Sequence, residues 1–159
     1  MSLRKNLDFR KVKGISDYQF GVDITDILFA TEEDISFKHS KNTDKLKYVY
    51  KQDKFFLSLR PTNGYLTLSF PAAQKILDKT SKPRMRVIVL NEISEYIREG
   101  RNVFCKHVVD LDERLRPMDE TIVVNEDDDL LAIGRLTQST DSVRAFTRGV
   151  GVNVRKGNH

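Results

Sequence analysis

No apolar segment in this chain is long. Clean aliphatic runs such as Val87–Leu90 and Ile122–Val124 stay short, far from the roughly 20 apolar residues that a membrane helix needs. Short runs bounded by turn residues suit strands. Lys45–Tyr50 and Phe55–Leu59 flank Lys51-Gln52-Asp53-Lys54, which reads as a hairpin turn. Leu46, Tyr48 and Tyr50 alternate with Lys45, Lys47 and Val49, the pattern of a half-buried strand. Pro61-Thr62-Asn63-Gly64 is a second turn, because Asn-Gly takes positive φ easily, and Tyr65–Ser69 follows as a third strand. Further strands are expected at Arg84–Leu90, Val103–Val109, Thr121–Val124, Leu130–Leu136 and Gly149–Val154, the third and fourth of these pairing across Asn125–Asp129.

Helices are fewer. Residues 1–15 read as a charged lead-in, Asp17–Ala30 partly fits helical spacing, and residues 31–44 read as a loop or short strand. Ser69 and Pro71 start a helix over Phe70–Leu77. Asn91 is a good N-cap, with Glu92 and Glu95 near the positive end of the dipole and Gly100 as the stop. Ser139–Phe146 reads as a helical turn. Asp78–Pro83 is polar and breaks the pattern. The expected architecture is α+β, with a small domain at residues 1–80 and a mixed β-barrel at 83–157.

A chain of 159 residues suits one domain or two small ones. Its 39% apolar and 31% charged residues exclude a disordered polymer. The opening MSLRKNLDFRKVKG has no apolar core, so no secretory signal is expected. Cys105 stands alone, which excludes an intrachain disulfide and a multi-cysteine zinc cage. That usage fits a reducing, cytoplasmic compartment. The net charge of +4 is unevenly spread: residues 1–83 carry 15 Lys/Arg against 10 Asp/Glu, and residues 84–159 carry 12 against 13. Arg98, Arg101, Lys106, Arg144, Arg148 and Arg155 are candidates for a local positive surface that would attract a polyanion. Charge alone favours an ordinary solvated surface.

Few constellations carry chemistry. Glu126–Asp129 lacks the spacing and glycine of a calcium loop and reads as a solvated hairpin tip. Cys105 and His107 lack an orienting third group and read as structural. Gly149-Val150-Gly151-Val152 lacks the Lys-Ser/Thr of a P-loop; it reads either as a packed strand or as a place where an RNA backbone approaches. Ser94, Arg98 and Arg101 fall on one face at helical spacing i, i+4, i+7. Tyr48, Tyr50, Phe55 and Phe56 interleave with lysines; as bases' stacking partners they would be exposed, but the favoured reading is the core face of a small sheet.

The stretches VIVLNEISEYIREGRNVFCKHVVDLDERLRPMDETIVVNEDDDLLAIGRL and FTRGVGVNVRKG resemble a PUA domain, the RNA-binding fold named after pseudouridine synthases and archaeosine transglycosylases. The resemblance rests on a strand and helix ending in Gly100, on Arg116–Glu120 leading into Ile122–Val124, on Ile133-Gly134-Arg135 and on Arg148-Gly149-Val150. Met118 stands where the family commonly has glycine. KLKYVYKQDKFFLSLRPTNGYLTLSFPAAQKIL resembles the domain that precedes PUA in archaeal tRNA-guanine transglycosylases and the related archaeosine synthase, with Leu59–Gly64 as its turn motif.

The resemblance implies a pre-PUA domain followed by a PUA pseudo-barrel that binds RNA, most simply tRNA, in the context of archaeal tRNA modification. By position, the RNA groove would involve Arg98, Gly100, Arg101, Asn102, Lys106, Arg148 and Gly149. The transglycosylase barrel needs about 250 residues, and the zinc cysteines and the synthase's cysteine motif are missing. No catalytic residue, metal or cofactor is therefore expected here. The alternative implied is an accessory subunit serving the catalytic chain of a split archaeosine-forming enzyme, with an exposed apolar patch near Phe20, Phe37 or Phe55.

Overall fold

The structure is a computed structural model that describes residues 2–31 and 33–159. Glu32, inside the segment expected as a loop, lies outside the described residues. The chain divides into two compact units, one ending at Lys79 and the other starting at Thr80.

The expected charged lead-in is a helix, α1 (Leu3–Gln19), started by Ser2, whose hydroxyl accepts from the Lys5 amide. Only Phe9, Val12 and Ser16 of this helix are buried, so its apolar stripe is too thin to stand out in the sequence. Gly21, at φ 106°, separates α1 from α2 (Val22–Leu28). The single helix expected over Asp17–Ala30 is thus the end of one and the whole of another. Strands β1 (Ile35–His39), β2 (Leu46–Lys51), β3 (Lys54–Leu59) and β4 (Leu66–Leu68) form an antiparallel sheet in that order. Gln52 and Asp53, at φ 51° and 61°, close the β2–β3 hairpin in the manner of a type I′ turn. Helix α3 (Phe70–Lys79) follows, with the Ser69 hydroxyl accepting from the Ala72 amide at 3.2 Å.

Two register shifts decide which face of this sheet is buried. In β2 the shift falls at Lys47, because Lys38 pairs Tyr48 while His39 pairs Leu46. In β3 it falls at Phe56, because Val49 pairs Leu57 while Tyr50 pairs Phe55. A bulge resets the alternation of a strand. Leu46, Val49, Phe56 and Leu57 therefore lie inward and buried, and Tyr48, Tyr50 and Phe55 lie on the opposite face. The expectation that Tyr48, Tyr50 and Phe55 line the core is corrected; only Phe56 does. Phe20 is also buried and Phe37 packs edge-to-face on Phe9, so neither forms the exposed patch expected near them.

The second unit holds β5 (Arg86–Val89), α4 (Ser94–Arg98), β6 (Val103–Phe104), β7 (Val108–Leu111), β8 (Glu120–Asn125), β9 (Leu130–Leu136), α5 (Thr140–Ala145) and β10 (Val150–Gly157). The sheet order is β6-β10-β9-β8-β5-β7, with only β5–β8 parallel. The single strand expected over Val103–Val109 is broken by a 3₁₀ turn at Cys105–His107. That turn joins β6 to β7, the two edges of the sheet, so the sheet wraps into a pseudo-barrel. Its core contains Val87, Val103, Cys105, Leu111, Val123, Leu131, Val143 and Val152.

Specific polar contacts fix two loops. Asn91 is not a cap: its side-chain oxygen accepts from the Glu126 amide at 2.9 Å, and its own amide donates to the Glu126 carboxylate at 3.1 Å. The Glu126–Asp129 tip is not merely solvated either. Asp128 takes two bonds, at 2.7 and 3.0 Å, from the fully buried Arg86 guanidinium. Met118 has a positive φ of 74°.

Asp112, 4% exposed, accepts from the amides of Met85 (2.8 Å) and Arg114 (3.0 Å) and from Arg84 (3.3 Å). Burial by itself would raise its pKa, but these donors outweigh burial and hold the carboxyl below its ordinary value. Its contribution to stability is therefore complete above about pH 4 and is lost as pH falls through the lowered folded value. Asp112→Asn is expected to lower the melting temperature at pH 7 and to flatten the loss of stability below about pH 4. Parallel melting curves of the two proteins across that range would rule this out.

Candidate nucleic-acid interface

The start of β10 is where the barrel's edge opens to solvent. Cys105 turns its sulfur into the core, so its neighbours Phe104 and Lys106 face outward. The Cys105 amide donates to the Gly149 carbonyl at 3.0 Å, which brings the Arg148-Gly149 corner beside them. Phe104, Lys106, Thr147, Arg148 and Gly149 line a cavity of about 220 Å³. Gly149 has φ 91°, and a Cβ there would meet nothing nearer than the Gln138 side chain at 4.0 Å. A side chain would be strained in this conformation, though space is free. Phe104 is 36% exposed and stands edge-on to His107.

The other four residues expected in the groove sit further along β10. The Asn102 side-chain oxygen accepts from the Val154 amide at 2.9 Å. Gly100, at φ 97°, ends the α4 segment, and a Cβ on Gly157 would lie 2.6 Å from its nitrogen. Asn102 is only two residues from Phe104 of the cavity lining, whereas Gly100 packs at the far end of β10, against Gly157. The α4 helix has five residues, so Arg101 is outside it and shares no helical face with Ser94. Ser94 is buried and bonds the Asn91 carbonyl and the Asn125 amide.

Carboxylates decide which cations are available. Arg98 pairs with Glu95 at 2.7 Å. Arg101 pairs with Glu99 at 3.6 Å and lies over the Tyr96 ring. Arg144 is held by Asp110 and Glu113, which raises its pKa, and Arg155 by the buried Glu120. Among the described residues, no carboxylate pairs with Lys106 or Arg148. Of the six cations singled out in the sequence, these two remain uncommitted, and they share one cavity. Phe104 and Thr147 were missed. Phe104 was legible in principle, because in an extended strand a buried Cys105 puts the preceding side chain on the opposite face.

Two family descriptions match the chain. The patch-forming domain C2 of tRNA-guanine transglycosylase matches residues 10–83, and the PUA domain matches residues 85–157. The second half of the chain matches the PUA domain. Its PUA domain and the C2 domain before it are similar in sequence to the tRNA-guanine(15) transglycosylases of Methanocaldococcus jannaschii (39% identity over 153 residues) and Methanobrevibacter smithii (37% over 150 residues). These alignments cover 96% and 94% of this chain but 23% and 22% of the relatives. The chain therefore spans less than a quarter of their length. Two solved structures share the fold across 99% of this chain: a hypothetical protein from Pyrococcus horikoshii (TM-score 0.77, 24% identity, 92% of that chain) and a conserved PUA domain protein from Thermoplasma acidophilum (TM-score 0.67, 20% identity, 91% of that chain).

Within the PUA domain, the Cys105 thiol is buried and its pKa raised by desolvation, which keeps it protonated and unreactive near neutrality. Gly151 faces inward: a Cβ would meet Cys105 and Val143 at 3.6 Å. The two glycines of the 149–152 motif thus differ, with Gly151 packed and Gly149 open. Among the described residues no group of three or more His, Cys, Asp or Glu is placed to hold a metal, and no helix is long and apolar enough to cross a membrane.

Proposed function

We propose that this protein binds RNA, and tRNA by preference, at the cavity that opens the last strand of the PUA domain. Lys106 and Arg148 contact phosphates, the open Gly149 backbone lets the sugar-phosphate chain come close, and Phe104 offers a ring to a base or sugar. The observation that carries this is the meeting of two carboxylate-free cations with an exposed aromatic ring around one cavity. The relatives' names supply the choice of tRNA. Arg98 and Arg101 form an outer flank, weakened by their glutamates, while Gly100 and Asn102 hold the strand in place. In this reading the protein works in the cytoplasm, and any base exchange on the bound tRNA belongs to a catalytic body outside these two domains. A pull-down that recovers RNA but no protein would count against a separate catalytic partner.

The test is a salt titration of tRNA binding. Lys106→Ala and Arg148→Ala are each expected to weaken binding and to make the dependence on log salt shallower by about one ion. Arg101→Ala should do less, because Glu99 already neutralises it. Unchanged affinity and slope in the Lys106→Ala/Arg148→Ala double variant would overturn the assignment.

A further inference from the structure

The outer face of the first unit's sheet carries a second feature that the cavity does not use. Tyr48, Tyr50 and Phe55 pack edge-to-face in a triangle, with centroid separations of 5.8, 6.2 and 6.3 Å. Phe55 is 41% exposed. Lys38 lies over the Tyr50 ring at 4.8 Å and Lys47 over the Tyr48 ring at 5.0 Å. Lys45 and Lys54 are exposed at the margins. Among the described residues, no carboxylate pairs with any of these four lysines. Strand pairing sets the rings side by side, since Tyr50 opposes Phe55 and Tyr48 opposes Ser58.

We propose that this face binds unpaired nucleotides of an RNA strand, with bases stacked on Tyr50 and Phe55 and phosphates on Lys38 and Lys47. The inference rests on the RNA-binding reading above and adds to it a single-strand subsite in the other unit. Rings on an antiparallel sheet offer every base a π-face regardless of sequence. Ammonium groups beside the rings neutralise the phosphates between stacked bases. A protein partner suits the face less well, because lysine is depleted at protein–protein interfaces and here four lysines surround three rings.

The test uses the full chain with two probes, a fluorescein-labelled single-stranded pyrimidine octanucleotide and an intact tRNA. The chain has five tyrosines and no tryptophan, so stacking is also read as quenching of tyrosine emission. Tyr50→Leu/Phe55→Leu is expected to weaken octanucleotide binding at least tenfold and to remove most of the quenching. Lys38→Gln/Lys47→Gln leaves the rings in place and should flatten the octanucleotide salt slope by roughly 1.4, about 0.7 per cation. Unchanged octanucleotide affinity in the ring variant would overturn the subsite and leave the face to a protein partner. If the ring variant fails to fold by circular dichroism, an unchanged slope in the lysine variant overturns it instead. The Lys106→Ala/Arg148→Ala variant separates the two readings: loss of tRNA binding there, with no effect of the sheet variants on the octanucleotide, removes the subsite and keeps the cavity.

Discussion

Asp128→Ala is expected to destabilise the PUA domain by about 3 kcal/mol, measured by urea unfolding. The side chain it strips of its partner is Arg86, which has no solvent-exposed surface. Its guanidinium also donates to the Thr80 hydroxyl at 3.0 Å, to the Arg84 carbonyl at 3.0 Å and to the carbonyls of Ser81 and Thr80 at 3.3 Å. Those acceptors are neutral. Without Asp128 the buried positive charge of Arg86 loses this carboxylate, and breaking a buried pair from one side typically costs about 3–5 kcal/mol. The lower end applies because Asp128 is itself 28% exposed and water can enter its place. Arg86→Met/Asp128→Ala is expected to cost no more than Asp128→Ala alone, since the charge leaves with the arginine. A loss under 1 kcal/mol in the single variant would show that the pair carries no stability.

Gly134→Ala is expected to be at least as damaging, about 3 kcal/mol or more. Gly134 lies in β9 opposite Val154 of β10. A Cβ there would sit 2.2 Å from the Asn153 carbonyl oxygen and 2.9 Å from the Val154 Cα. Both are backbone atoms, so no side chain can swing away. The strands have to separate, near the register shift between Val154 and Lys156, and overpacking of this kind typically costs about 1–3 kcal/mol and sometimes more. Because β10 carries the Arg148-Gly149 corner at its start, tRNA affinity should fall along with stability. A Gly134→Ala protein with wild-type unfolding midpoint would mean that the two strands approach less closely than described.

Much of this protein was legible in its sequence. The Asn63-Gly64 turn, the β2–β3 and β8–β9 hairpins, the Ser69 cap and the Gly100 stop all follow from local preferences of φ, capping and alternation, which act within a few residues. The motifs around them were enough to reach the PUA family. Local signals failed where a helix buries little, as in α1, and where one bulged residue changes the phase of a strand, as at Lys47 and Phe56. That change moved three aromatic rings from the expected core to the open face.

Which cations the fold leaves free at the cavity was decided by tertiary structure. Arg98 and Arg101 meet glutamates only two or three residues away, but nothing local separates Arg148 from Arg155. The distinction comes from which carboxylates fold against which guanidinium: Asp110 reaches Arg144 and Glu120 reaches Arg155 across the barrel, and none reaches Arg148 or Lys106 among the described residues. Coulombic pairing depends on distance in space, so an arginine's freedom to meet a phosphate is settled only when the chain has folded.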